Sequence, residues 1–124
     1  MALFKKNKRR KATPVGSSQE LAQIAAEGKP VLVDFMQHGC APCKVMDGIV
    51  DELADEYGDS AHVVKVNAAH APDAFAEFKV MSTPTFVLLT NGRSKPRWRQ
   101  SGLVKKDQLQ RMLEREGAER VEAV

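Results

Sequence analysis

Cys40 and Cys43 are the only cysteines of the chain, and they stand three positions apart in Cys40-Ala41-Pro42-Cys43. A pair so close closes too small a loop to stabilise a fold by restricting the unfolded chain, so its use is chemical: disulfide exchange or metal ligation. The apolar run from Val31 to Met36 precedes it and reads as a buried strand. Val45, Met46, Ile49, Val50, Leu53 and Tyr57 follow at helical spacing up to Gly58. The pair therefore falls where a strand turns into a helix. At that helix N-terminus, unpaired backbone N–H groups and the macrodipole favour the thiolate of Cys40, the attacking species. Pro42 fits the first turn, where its missing N–H costs nothing, and Lys44 adds positive potential. Exchange then runs in two steps: Cys40 attacks a partner disulfide, and Cys43 attacks Cys40 to release the reduced partner.

The rival chemistry is a zinc site completed by His62 and His70. These histidines lack the tight spacing of a ligand pair, and Pro42 suits the redox helix better.

The elements that must position the pair follow from periodicity. Ser17 or Ser18 can cap a helix carrying Leu21, Ile24 and Ala25 on one face, and Gly28 with Pro30 ends it. His62 to Val66 reads as a second strand, and residues 71–79 as a short helix with Ala74, Phe75 and Phe78 inward. A strand from Thr85 to Thr90, the turn signal Asn91-Gly92 and a strand around Arg97 to Ser101 form a hairpin with a turn longer than two residues. Pro96 and the charges Arg93, Lys95, Arg97 and Arg99 suit an edge strand. Lys105 to Glu116 closes the chain as a helix with Leu109, Met112 and Leu113 inward. This order predicts an α/β fold, a mixed β-sheet flanked by helices on both faces. The expected division is a flexible basic N-terminal arm over 1–16, a domain over 17–117 and a C-terminal tail over 118–124.

At 124 residues one core suffices. No apolar run is long enough to span a bilayer, and no apolar stretch follows the basic start to serve as a secretory segment, so a cytoplasmic location is expected. The net charge of +3 conceals a split: residues 1–11 hold six positive and no negative charges, which leaves the remainder near −3.

Beyond the cysteine pair, an ordered set of segments resembles the thioredoxin family: Val31-Leu32-Val33-Asp34-Phe35, Cys40-Ala41-Pro42-Cys43-Lys44, Glu52-Leu53-Ala54-Asp55-Glu56-Tyr57, Lys65-Val66-Asn67, Thr83-Pro84-Thr85 and Asn91-Gly92. The resemblance runs from about residue 17 to 116. It implies a thioredoxin fold, with Cys40 as nucleophile and Cys43 as resolving cysteine. It also implies proton transfer by Asp34, Lys65 paired with that aspartate, and a cis peptide before Pro84 that sets the Thr83 backbone against an extended substrate. Gly39, Ala41, Pro42, Thr83, Pro84 and Gly102 are the implied substrate-binding positions. No cofactor beyond the redox-active disulfide is implied, and no metal. The implied activity is reduction of protein disulfides, with electrons from a thioredoxin-reductase-like donor, by a monomer. The alternative is a redox-sensitive interaction module dedicated to one partner.

The sequence departs from the family pattern at several points. Gly39 and Met36 replace aromatics, which thins the apolar rim. Gly48 stands where a helix-kinking proline is usual, the hairpin between Gly92 and Gly102 is longer, and the first strand is very short or absent. His38 reads as an exposed loop histidine, and Trp98 between Arg97 and Arg99 as packing with solubility. The basic arm reads as a solvated tail with the capacity for weak contact with an anionic surface.

Overall fold

The computed structural model describes residues 10–92 and 95–121. In chain order its elements are β1 (Thr13–Val15), α1 (Ser18–Ala25), β2 (Val31–Met36), α2 (Ala41–Tyr57), β3 (His62–Asn67), α3 (Pro72–Glu77), β4 (Thr85–Leu89), β5 (Trp98–Ser101) and α4 (Lys106–Arg115). The strands form one sheet in the order β1-β3-β2-β4-β5, in which β1, β3 and β2 run parallel and β4 is antiparallel to both its neighbours, β2 and β5.

Because side chains alternate along a strand, β2 feeds two cores. Val31, Val33 and Phe35 pack with Leu21 and Ala25 of α1 and Ala74 of α3. Leu32, on the opposite face, packs with Met46, Val50 and Leu53 of α2 and Leu109 and Leu113 of α4. Asp34 shares the parity of Leu32, and Lys65 shares that of Val63, which belongs to the same core. Both polar residues therefore project toward the α2 side of the sheet.

Local signals explain the boundaries. Ser17 caps α1, its hydroxyl accepting the Glu20 N–H at 3.0 Å. The Asn91-Gly92 pair takes left-handed conformations, φ 58° and 71°, which Asn and Gly tolerate best. Trp98 packs against the α2–α4 core. Arg99 donates to the carbonyls of Phe78 and Lys79 at the end of α3, and Arg97 pairs with Glu116 at 3.3 Å, so this strand's charges hold the fold together. Arg93 lies outside the described residues.

The folded elements and their contacts reach beyond both ends of the expected domain. The N-terminal strand is present, if short: Thr13, Pro14 and Val15 lie against Val64, Lys65 and Val66, and Ala12 and Val15 are buried. Asp55 accepts the Arg10 N–H and Asp51 the Ala12 N–H, both at 3.0 Å, and the Arg10 guanidinium pairs with Asp59. Residues 10–16 are thus docked on α2 and β3 instead of belonging to a flexible arm. Residues 1–9 of that arm lie outside the described residues. At the other end Ala118 is buried, the Glu119 N–H reaches Ser60 Oγ at 2.8 Å, and the Val121 N–H reaches the Glu56 carbonyl at 2.7 Å. The first four tail residues therefore pack on α2 and its following turn, and residues 122–124 lie outside the described residues.

Candidate active site

Cys40 is the N-cap of α2 and Cys43 sits in its first turn, with Pro42 between them. The two sulfurs are joined as a disulfide, with the Cα atoms 5.2 Å apart. Cys40 is half-buried and Cys43 is buried. The Cys43 N–H points at Cys40 Sγ from 3.2 Å, so the helix N-terminus offers this sulfur a donor when it carries charge. A cleft of about 650 Å³ opens over the pair, lined by Gln37, Gly39, Lys44 and Asp47 as well as both cysteines.

Two further connections complete the site. The Thr83–Pro84 peptide is cis, and the Thr83 carbonyl oxygen lies 3.4 Å from Cys40 Sγ. Gln37 Nε2 donates to Thr83 Oγ1 at 3.0 Å and so ties the loop before Cys40 to the loop before β4. Gly102, just past β5, donates its N–H to the Pro84 carbonyl at 2.8 Å. The structure thus gathers Gly39, Ala41, Pro42, Thr83, Pro84 and Gly102 around the disulfide edge. Gly39 has φ 75°, the left-handed region in which an aromatic side chain would be strained. That is a physical reason for glycine at this position.

Asp34 is 1% exposed, and its Oδ1 has no hydrogen-bond partner among the described residues. Burial pushes its carboxyl up to about 7; Lys65 opposes that rise, and Asp47 and Asp51 add to it. Lys65 is the backbone neighbour of Asp34 across β2 and β3, yet it does not pair with it. Its Nζ lies 2.6 Å from Asp47 Oδ1 and 3.0 Å from Asp51 Oδ1. The expected Asp34–Lys65 pair is therefore replaced by a Lys65 clamp on α2, because two carboxylates one helical turn apart outcompete one. Burial would lower the Lys65 ammonium's pKa, but these two partners hold it above its ordinary value.

Sequence reasoning missed Gln37, Asp47 and Asp51. The signal for the last two was available: positions 43, 47 and 51 recur at i, i+4 and form one stripe with the buried cysteine.

The zinc alternative does not assemble. His62 begins β3, at the end of the parallel strands opposite the cysteines, and its Nε2 lies 2.8 Å from Glu27. Among the described residues no cluster of three or more His, Cys, Asp or Glu side chains is arranged to hold a metal ion. His38 is exposed in the loop before the cysteines.

A family model described as Thioredoxin matches residues 5–115. Thioredoxin X, chloroplastic, from Arabidopsis thaliana is 33% identical over 100 residues, covering 81% of this chain and 55% of that protein. Thioredoxin-T of Drosophila melanogaster is 43% identical over 64% of this chain and 52% of its own length. The chain thus spans about half the length of these two relatives. Thioredoxin of Alicyclobacillus acidocaldarius subsp. acidocaldarius is 38% identical over 73% of this chain and 86% of its own. Among solved structures, a mutant thioredoxin from Halobacterium salinarum NRC-1 superposes with a TM-score of 0.77 at 24% identity, covering 90% of this chain and 95% of that one.

Proposed function

The chain belongs to the thioredoxin family, and from that premise we propose that it is a thiol-disulfide oxidoreductase that reduces disulfides of protein substrates. The observation that carries this reading is the Cys40–Cys43 disulfide at the N-terminus of α2, its outer sulfur 3.4 Å from the Thr83 carbonyl beside a cis proline.

In the reduced protein the Cys40 thiolate attacks one sulfur of the substrate disulfide. The substrate S–S bond breaks, its second sulfur leaves as a thiolate, and a mixed disulfide with Cys40 forms. Cys43 then gives its proton to the Asp34 carboxylate and attacks Cys40 Sγ. The mixed disulfide breaks, the substrate's other sulfur leaves as a thiolate, and the Cys40–Cys43 disulfide of the structure results; one proton returned by Asp34 and one from water make the product a dithiol. A carboxyl titrating at about 7 is suited to accepting and returning that proton near neutrality. Lys65 contributes at one remove, by the charge it presents to Asp34. Two electrons have passed to the substrate, and a thioredoxin-reductase-like donor restores them. The substrate lies extended over Thr83 and Gly39, its backbone paired with that of Thr83.

A reducing compartment, here the cytoplasm, fits a chain whose two cysteines both serve this chemistry. No helix among the described residues is long and apolar enough to cross a membrane. Among the described residues, large exposed apolar side chains are confined to Val45, Met81 and Leu103, which supports action as a monomer. A complete, bonded cysteine pair favours turnover over a dedicated interaction module.

The test is insulin reduction driven by NADPH and a thioredoxin reductase. The intact chain should turn over, Cys40→Ser should be inactive, and Cys43→Ser should accumulate a mixed disulfide. With a limiting electrophile at neutral pH, Cys40 of the reduced protein should be alkylated first; labelling of Cys43 first would reverse the two roles.

A further inference from the structure

The carboxylates that hold Lys65 are not equivalent. Asp51 also accepts the Ala12 N–H at 3.0 Å and thereby anchors the approach to β1. Asp47 is half exposed and lines the cleft that contains both cysteines. Both meet the Lys65 ammonium from the α2 side, while Asp34, level with Lys65 on the next strand, keeps a buried oxygen without a partner. Adjacent strands run about 4.8 Å apart, so a lysine released from α2 has the reach to turn to Asp34. The charged groups acting on Asp34 are Lys65 from β3 and Asp47 and Asp51 from α2, and the reduced Cys43 thiol is on α2 as well. Phe86, its partner on β4, is apolar.

We propose that Asp47 is a positioning residue of the exchange reaction: it competes with Asp34 for the Lys65 ammonium, and by winning keeps the Asp34 carboxyl unpaired. Without Asp47, Lys65 is held by Asp51 alone and can share its charge with Asp34. The carboxylate is then stabilised, becomes a weaker base, and draws the Cys43 proton less well at neutral pH. Asp47 acts through Lys65 and touches no reacting atom. The proposal rests on the proton-transfer reading of Asp34, but its own observable is the state of a side chain.

That observable is the Asp34 titration midpoint, followed by carboxyl carbon NMR in the oxidised full-length protein. Asp47→Asn should lower the midpoint by about one pH unit, and Asp47→Glu, which keeps a carboxylate within reach of Lys65, should leave it near the wild-type value. Removing a nearby negative charge also lowers the midpoint directly, so the same Asn substitution is made in a Lys65→Met background. A shift there of less than half the first shows action through the lysine; equal shifts in both backgrounds overturn the proposal, as does no shift in either. Failure of the proton-transfer reading is separate: it would appear as an unchanged reduction rate in Asp34→Asn, whatever the midpoints do.

Discussion

A carboxyl buried without a full set of partners opposes folding once it is charged, and Asp34 meets that description. Its pKa rises from 3.8 in the unfolded chain to about 7 in the folded one, with burial the largest cause. Between those values the folded protein holds a proton that the unfolded chain has lost. Stability contributed by the protonated group is therefore complete below the unfolded value and falls as pH rises toward 7, the reverse of the usual paired aspartate. The span corresponds to an upper limit of about 4 kcal/mol. Asp34→Asn cannot ionise, so its denaturant stability should gain on wild type by about 2–4 kcal/mol between about pH 4 and pH 8. Because the change with pH is read, a constant packing difference between the two chains cancels. Parallel stability curves would mean that Asp34 ionises alike in folded and unfolded chains. The cost of charging this residue is thus the physical counterpart of its use as a base: a partner that stabilised the carboxylate would also make it slower to take a proton.

At the scale of elements, the site is where three separate connections meet: the β2–α2 junction, the loop before β4 and the turn after β5. Gly39 gives the first no side chain, and the other two connections each carry a large exposed apolar side chain next to a site residue: Met81, 91% exposed and two residues before Thr83, and Leu103 beside Gly102. Met81→Ser should therefore raise KM for a protein disulfide about 3–10-fold, the loss of roughly 1 kcal/mol of apolar contact. Reduction of a small disulfide reagent and thermal stability should be nearly unchanged, since an exposed side chain carries little packing. Equal losses for both substrates would place Met81 in the chemistry, and no loss for either would remove it from the rim. Much of this arrangement was legible in the sequence. β2 and α2 follow from apolar periodicity, the Cys40 cap from the strand-to-helix junction, and the cis Pro84 loop from family resemblance. What escaped depends on contacts that spacing does not encode. β1 holds three residues, one of them Pro14, and is secured by Asp51 and Asp55, some forty positions away. The C-terminal residues dock through Ser60 and Glu56 of a distant segment. Lys65 could be placed beside Asp34 by register, but which carboxylate it would choose is decided by a helix crossing above the strand.

Over the whole molecule, charge is divided by position. Residues 1–11 carry six positive charges and the remainder is near −3. Arg10 is paired with Asp59 just past α2, and the other basic groups of this stretch are Lys5, Lys6, Lys8, Arg9 and Lys11. Five positive charges within seven residues can neutralise phosphates and release their counterions, whereas the net-negative domain repels the same surface. The stretch is accordingly expected to tether the protein weakly to anionic surfaces without entering the proposed chemistry. Deleting residues 2–9 spares the Arg10, Ala12 and β1 contacts, so the shortened protein should fold and reduce a small soluble disulfide at the full-length rate. The two forms should separate on retention by immobilised duplex DNA or by acidic vesicles at low salt, where only the full-length protein is held. Its affinity for DNA should fall with a log–log salt slope of about −4 to −5 if all five charges of the stretch meet phosphates. Equal retention of both forms would move the contact to the basic β4–β5 connection around Lys95 and Arg97, and no retention of either would reduce the N-terminal charges to a solubilising role.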